Sequence, residues 1–234
     1  MTLKVVFLLL NRVTFTGVDD KTNVNDLVDL TKRFPFVEFG VLISKGNTNK
    51  SVVKRYPNAT IFKKLKNKGL NLSCHLCGSV ARNIVKKDDW NEFFDLLGKD
   101  YEIFNRFQLN VSGVKGFSRD IHFIEDKDFI IQLKEDLSLY NTYKDLPNVY
   151  GFQDNSGGVG RFEDNWLDSD RYFGYAGGLN IDNVESVIRD LYVVNNADFW
   201  IDMETSVRTF DWFDTNKCEQ ILKICEKYVN KNIL

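Results

Sequence analysis

The stretch RYFGYAGGLNIDNVESVIRDL, residues 171–191, decides the fold class. It begins with strand-like residues, Arg171–Tyr175, passes through Gly177-Gly178 and continues over Ile181–Leu191 with apolar residues at helical spacing. A strand that opens into a helix through a short glycine loop is the unit of parallel α/β folds. The stretch therefore predicts a parallel sheet covered by helices.

The same alternation of strand-length apolar runs and helical stretches continues in both directions along the chain. Continuous apolar runs are typical of strands that are buried on both faces of a parallel sheet. The predicted strands are Leu3–Leu10, Phe36–Ile43, Leu70–Leu76, Glu102–Val111, Phe129–Leu133, Val149–Gln153, Arg171–Tyr175 and Phe199–Met203.

Eight strands separated by helices in 234 residues match the size of a (β/α)₈ barrel. A doubly wound open sheet is the competing arrangement. No linker rich in Pro, Gly or Ser divides the chain. The prediction is therefore an α/β protein, a single (β/α)₈ TIM barrel domain over residues 1–234.

Composition excludes several classes of protein. The chain is 43% hydrophobic, which excludes a disordered chain, and its 31 Lys and Arg against 33 Asp and Glu argue against a dedicated binder of nucleic acid polymers. The longest apolar run has six residues, Val5–Leu10, so no membrane span and no membrane partner is expected. Four cysteines do not form a disulfide framework, which favours a reducing, cytoplasmic location.

Glycine-rich and hydroxyl-bearing segments follow the last three predicted strands. In a (β/α)₈ barrel the loops after the strands carry function, and the loops after strands seven and eight commonly hold phosphate. Glycines let backbone N–H groups surround an anion, and a helix N-terminus adds a favourable dipole. A single glycine cluster is better explained by a tight turn, but two clusters and the pair Thr205-Ser206 in this order predict a phosphate site in these loops.

Three motifs together resemble phosphoribosylanthranilate isomerase. They are GGVGRF at residues 157–162, AGGLNIDNV at 176–184 and IDMETSV at 201–207, and the resemblance extends over roughly residues 149–229. The resemblance implies a single (β/α)₈ barrel and an Amadori rearrangement of a phosphoribosyl substrate. It also implies that Asp154 is the general acid and that seven residues line the phosphate site: Gly157, Gly158, Gly160, Gly177, Gly178, Thr205 and Ser206.

The chain departs from this family at three places. The resemblance implies a general-base Cys in a Lys-x-Cys-Gly motif at the end of strand one, but the predicted strand Leu3–Leu10 and Asn11 provide neither Cys nor Gly. The loop after Asp154 is shorter than in the family. Glu204 stands where the family has a small hydroxyl residue, and its carboxylate repels phosphate unless Arg208 or another ligand pose compensates.

Cys74-His75-Leu76-Cys77 permits several interpretations. On a strand, His75 and Cys77 face one way and Cys74 the other, so the two thiols do not form a metal-binding pair. Structural thiols are the favoured interpretation, and a catalytic Cys77 and a metal site are the two alternatives. The prediction is therefore that the chain has no metal site. His75 is expected to project into the barrel, as a core residue or as a ligand contact.

The polar, basic segment 45–57 follows strand two. It is either a solvated surface loop or a mobile lid in which Arg55 and Tyr56 contact an anionic, aromatic ligand. Asn110, at the end of strand four, is a further candidate for ligand binding.

The leading hypothesis is a barrel that binds, or sequesters, a phosphorylated ribosyl or nucleotide-like small molecule without the family's isomerase activity. The alternative is a sugar-phosphate isomerase or lyase that uses Asp154 as acid and His75, Cys77 or Glu204 as base. A third reading is an interaction protein whose site has decayed, which the retained glycines disfavour. No cofactor is expected, and a homo-oligomer is left open.

Overall fold

Eight parallel strands close into a barrel in the computed structural model, which describes residues 10–50, 53–111, 114–134, 137–154, 156, 160–162 and 164–229. Each strand pairs with the next in the sequence, and the eighth pairs with the first, so the sheet has no free edge. The strands are β1 Leu10–Thr16, β2 Val37–Ile43, β3 Leu72–Leu76, β4 Arg106–Leu109, β5 Asp128–Leu133, β6 Val149–Asp154, β7 Phe173–Ala176 and β8 Phe199–Met203. The predicted (β/α)₈ barrel is confirmed.

Helices lie between the strands and carry apolar residues on the side that faces the barrel. The helices are α1 Val24–Arg33, α2 Thr60–Leu65, α3 Ser79–Lys87, α4 Asn91–Leu97, α5 Ser138–Tyr143, α6 Val184–Val194 and α7 Thr215–Cys225. A short hairpin of β9 Arg208–Thr209 and β10 Trp212–Phe213 precedes α7. Within the described residues, no helix is long and apolar enough to cross a membrane.

Local chemistry explains where the helices begin. Asn23 caps α1 with its side-chain oxygen on the N–H of Asn25, and Asp214 caps α7 on the N–H groups of Asn216 and Lys217. Leu27 on α1 is among the residues that pack between the strands and the helices. This apolar layer fixes the barrel and so positions the ends of the strands.

The first strand was predicted at the wrong place. Residues 3–9 of the predicted strand lie outside the described residues, and β1 runs instead over Leu10–Thr16. Val13 and Phe15 on β1 pack in the apolar layer, whereas Thr14 bonds Glu38 inside the barrel. The strand therefore alternates polar and apolar residues, and it has a weaker apolar signal than the run before it.

The fourth predicted strand is also longer than the observed one. The prediction of a strand over Glu102–Val111 is wrong at its start, because Gly98–Ile103 forms a 3₁₀ helix and β4 begins at Arg106. At the other end of the chain, α7 ends at Cys225 and a 3₁₀ turn follows it.

A buried charge network fills the amino-terminal half of the barrel interior. Glu38 accepts hydrogen bonds from Arg106 Nε (3.0 Å) and Nη2 (2.6 Å), from Arg12 Nη1 (2.6 Å) and from Thr14 Oγ1 (3.1 Å). The guanidinium of Arg106 also lies 4.6 Å from the centre of the Trp200 ring. This network fills the space beneath the cavity described next.

Candidate functional site

A cavity of about 650 Å³ opens at the carboxyl ends of the strands. This is the end of a (β/α)₈ barrel at which active sites are found. Most of its lining is polar, and the apolar contribution includes Leu42, Phe152 and Met203. The polar and glycine residues that line it are Thr16, Arg55, Tyr56, His75, Cys77, Gln108, Asn110, Gln132, Asp154, Ser156, Gly160, Gly177, Gly178, Asn180, Asp202, Glu204, Thr205 and Ser206.

The cavity floor contains a hydrogen-bonded group from β1, β3 and β8. Thr16 Oγ1 donates to Asp202 Oδ1 at 2.8 Å, and His75 Nε2 lies 3.4 Å from Thr16 Oγ1 and 3.1 Å from Ser73 Oγ. Gly40 on β2 makes room for this group, since a Cβ there would lie 2.6 Å from Thr16 Oγ1 and 2.9 Å from His75 Nε2. Three strands thus place one carboxyl and one imidazole around the same hydroxyl group, that of Thr16.

Burial sets the charge of this group. Burial lowers the pKa of His75 to about 3, so its imidazole is neutral at neutral pH. Burial also raises the pKa of Asp202 well above its usual range, the nearby carboxylates of Glu204 and Asp154 raise it further, and the bond from Thr16 opposes the rise. The floor therefore carries less negative charge than its residue types suggest.

Asp154 ends β6 and points into the cavity with a fixed orientation. Gln132 Nε2 donates to its Oδ2 at 2.9 Å, and the backbone N–H and hydroxyl of Ser156 donate to its Oδ1 at 3.1 and 2.8 Å. A carboxylate held by donors on both oxygens is positioned for a ligand hydroxyl or for proton transfer.

Cys77 and Asn110 form one wall. Asn110 Nδ2 donates to Cys77 Sγ at 3.0 Å, and Gln108 Nε2 donates to Asn110 Oδ1 at 2.8 Å. Burial raises the pKa of Cys77 to about 11, so Cys77 is a thiol and not a thiolate at neutral pH. Cys74 faces the apolar layer on the other side of β3. Across the described ranges, no group of three or more His, Cys, Asp or Glu side chains is placed to hold a metal ion.

The loops that follow β6, β7 and β8 pack against one another around the glycines. Gly178 has φ +67°, and a Cβ there would lie 2.3 Å from the backbone nitrogen of Phe162. Gly160 has φ +69°, and its Cβ would lie 3.1 Å from Thr205 Cβ. The hydroxyl oxygen of Ser206 is buried and has no hydrogen-bond partner among the described residues. Gly157 and Gly158, the other predicted phosphate contacts, lie outside the described residues.

The loop after β2 reaches across the mouth of the cavity to the loop after β8. Arg55 Nη1 lies 2.6 Å from Glu204 Oε1, and Lys54 Nζ donates to the carbonyl oxygen of Phe210 at 3.0 Å. Burial raises the pKa of Glu204, and the charge of Arg55 opposes that rise. Tyr56 lines the cavity beside them. Arg55 is therefore the cation that compensates Glu204.

The structure does not bring Arg208, a predicted ligand contact, into the cavity. Its side chain is 3% exposed, Nη1 donates to the carbonyl of Gly17 at 2.7 Å, and Nη2 donates to Asp19 Oδ2 at 2.9 Å. Gly17 permits this approach, since a Cβ there would lie 2.4 Å from Arg208 Nη1. Arg208 fastens the β9–β10 hairpin to the loop after β1.

The position of β1 corrects the comparison with the Lys-x-Cys-Gly motif. The strand ends in Thr14-Phe15-Thr16-Gly17, so the glycine of the motif is present and Thr16 stands at the place of the cysteine. An aliphatic hydroxyl does not take up a proton at neutral pH, and Thr16 donates its proton to Asp202. The expected general base is absent from this position.

Sequence reasoning missed six of the polar lining residues: Thr16, Gln108, Gln132, Ser156, Asn180 and Asp202. Each lies within two residues of an end of a strand or just after a short glycine loop. The alternation of Arg12, Thr14 and Thr16 with apolar residues, directly before a glycine, is the signal that could have located β1 and hence Thr16.

Fold and site together define a single (β/α)₈ barrel with a polar cavity at the carboxyl ends of its strands. The fold is that of phosphoribosylanthranilate isomerase-like barrels. A monomeric form of the dimeric isomerase from Thermotoga maritima is 15% identical, with a TM-score of 0.60 over 93% of this chain and 100% of that chain.

Two further solved structures have the same fold. A phosphoribosylanthranilate isomerase in complex with reduced 1-(o-carboxyphenylamino)-1-deoxyribulose 5-phosphate is 16% identical, with a TM-score of 0.57 over 93% of this chain and 100% of that chain. The phospho-2-dehydro-3-deoxyheptonate aldolase of Thermotoga maritima is 12% identical, with a TM-score of 0.56 over 97% of this chain and 72% of that chain. No family model matches the chain, and no curated protein matches it. At these identities the likeness defines the fold.

Proposed function

We propose that the cavity binds a phosphorylated, polyhydroxylated small molecule of the phosphoribosyl type, without the isomerase activity of phosphoribosylanthranilate isomerase. The buried, unpartnered hydroxyl of Ser206, beside the packed glycine loops, is the observation that carries the proposal. A buried donor without a partner costs about 1–3 kcal/mol, and a ligand oxygen there removes that cost. Gly177 and Gly178 line the cavity, and the backbone N–H groups of a glycine loop can bind an anion.

The rest of the lining suits a sugar. Gln108, Asn110, Gln132, Asp154 and Asp202 surround the cavity with amide and carboxyl groups that donate to and accept from hydroxyls. Two of the solved barrels are named for phosphorylated sugars or sugar acids, and one of them holds a deoxyribulose 5-phosphate derivative. A phosphate at the glycine loops and hydroxyls over the floor would fill the cavity from one end to the other.

Ser206→Ala is expected to weaken the binding of ribose 5-phosphate by about 1–2 kcal/mol, because it removes one hydrogen bond to a charged oxygen. Isothermal titration calorimetry with ribose 5-phosphate measures the change. Ser186→Ala, on the exposed surface of α6, is the matched control and should bind as the unaltered chain does. Equal affinities for the two variants would contradict the phosphate site, and no binding by the unaltered chain would refute the proposal itself.

Glu204 and Arg55 should affect this affinity in opposite directions. Glu204→Gln removes a carboxylate from the mouth and releases Arg55, so we expect ribose 5-phosphate to bind about 1–2 kcal/mol more tightly. Arg55→Ala leaves Glu204 uncompensated and should weaken binding by a similar amount. Calorimetry on both variants measures the change in binding free energy. Changes of the same sign in the two variants would show that the ion pair does not face the ligand. Slower amide exchange of residues 53–57 on ligand addition would support a lid.

An enzyme acting on a phosphorylated sugar is the second candidate. Asp154, held by Gln132 and Ser156, favours it as a positioned acid. The bases considered from the sequence fit less well, because the pKa of His75 is about 3, Cys77 is a thiol and Glu204 pairs with Arg55. Exchange of carbon-bound hydrogen of ribose 5-phosphate with deuterated water, abolished by Asp154→Asn, would favour the enzyme over the binding protein.

A further inference from the structure

Positive charge is segregated in one part of the chain. Residues 39–87 contain eleven Lys and Arg and no Asp or Glu. The rest of the chain has 20 Lys and Arg against 33 Asp and Glu, a net charge of −13. The expectation of no nucleic-acid partner rests on the charge balance of the whole chain. That balance does not show how the positive charge is distributed along the chain.

Six of these cations lie on or shortly after helices α2 and α3, and we call their surface the α2–α3 basic face. Helices α2 and α3 follow neighbouring strands, so they are neighbours in the outer ring. The face consists of Lys63, Lys64, Lys66, Lys68, Lys86 and Lys87, all exposed.

These six lysines have no ion pair within the described part of the chain, whereas Arg33, Arg189 and Lys223 on other helices are paired. On α1, Arg33 pairs with Asp29 and Glu219, and on α7, Lys223 pairs with Glu219. The helix dipole favours cations in a last turn. It does not account for Lys66 and Lys68, which lie beyond α2 and line a groove that also contains Glu102.

The chemistry of the face distinguishes between kinds of partner. None of the exposed large hydrophobic side chains of the described residues lies between residues 39 and 87. Protein interfaces are depleted in Lys and anchored by aromatic residues, and membrane-binding surfaces insert apolar side chains. Binding to a nucleic acid backbone needs neither, because phosphate contacts by Lys and the release of counterions provide the affinity.

We propose that the α2–α3 basic face binds the phosphate backbone of a nucleic acid without reading its sequence. The face lies outside the cavity, so this inference is independent of the proposed sugar-phosphate site. The six lysines can contact up to about six phosphates, and the affinity should then fall about 10³-fold between roughly 50 and 200 mM salt.

Fluorescence anisotropy with the full chain tests this, with two duplex DNAs of unrelated sequence and one single-stranded RNA as probes. We expect both duplexes to bind with equal affinity and with the same dependence on salt. The variant Lys63/Lys64/Lys66/Lys68→Gln should reduce the slope of log affinity against log salt by about 3–4. The control variant Arg171/Arg189/Lys223/Lys227→Gln removes the same charge from exposed positions elsewhere and should keep the slope.

Several results would overturn the proposal. One is the absence of binding to DNA and RNA at about 50 mM salt, and another is an equal slope for the two variants. Binding of polyglutamate as strong as that of the duplexes would assign the face to an acidic protein. Adsorption to vesicles of anionic lipid without binding of either nucleic acid would assign it to a membrane surface. Circular dichroism of both variants checks that they remain folded.

Discussion

Glu38→Gln is expected to destabilise the folded chain by about 3–5 kcal/mol, because it leaves the buried guanidinium of Arg106 and the partly exposed one of Arg12 without their counter-charge. Glu38 is 0% and Arg106 1% exposed, and the side chain of Arg12 is 27% exposed. Gln keeps the shape of the side chain and one hydrogen-bond acceptor. The loss of stability therefore comes from the missing charge and not from altered packing. Urea unfolding followed by circular dichroism measures the change.

The pH dependence of this difference gives a second test. Burial by itself would raise the pKa of Glu38, but Arg106 and Arg12 outweigh it and hold the pKa at about 2, below the ordinary value of 4.5. A carboxyl whose pKa is lower in the folded state stabilises the fold above the ordinary pKa and loses that contribution as pH falls toward the folded value. The difference between Glu38→Gln and the unaltered chain should therefore shrink from pH 5 toward pH 2.

Glu219→Gln is the matched control for Glu38→Gln. Glu219 pairs with Arg33 and Lys223 at the surface, where water screens the interaction. We expect little change in unfolding for this variant. If Glu38→Gln changed the free energy of unfolding as little as Glu219→Gln, this would show that water reaches the charges in the barrel interior.

Sequence periodicity and motif chemistry located the fold and the loops of the site after β7 and β8. Gly177, Gly178 and Ser206 could be found because their chemistry is local: glycine at a positive φ and a hydroxyl after a strand. The same local rule found Asp154 at the end of β6. Whether these residues bind a ligand stays a prediction.

The rest of the site depends on pairing across the barrel, which a single sequence does not contain. Arg55 and Glu204 are 149 positions apart, and Arg208 and Asp19 are 189 apart. The position of Arg208 outside the cavity lining could not be predicted for this reason, because its partners Gly17 and Asp19 lie on the loop after β1. Thr16 was missed for a different reason, since β1 alternates polar and apolar residues beside a more apolar run.

The unaltered chain is expected to show no turnover of phosphoribosylanthranilate. The rearrangement requires a proton to be taken from C2 of the ribosyl unit, and loss of a positioned base typically lowers the rate by about 10²–10⁴-fold. Thr16 stands where the resemblance implies that base, and its hydroxyl is engaged as a donor to Asp202. Chromatography of product after prolonged incubation measures the rate, and a tryptophan auxotroph carrying the chain should not grow without tryptophan.

Thr16→Cys tests the same argument by an expected gain of isomerase activity. A thiol at the end of β1, next to Gly17, restores the motif that the resemblance implies, while Asp154 on β6 remains available as acid. We expect turnover of phosphoribosylanthranilate to rise above the background of the unaltered chain, and Thr16→Ser, the matched control, to leave it there, because a hydroxyl remains a poor base. Turnover by the unaltered chain that disappears in Asp154→Asn would refute the binding role. Another group of the cavity floor would then take the proton, and Asp202, 2.8 Å from the Thr16 hydroxyl and with a raised pKa, lies nearest to the place of the missing base.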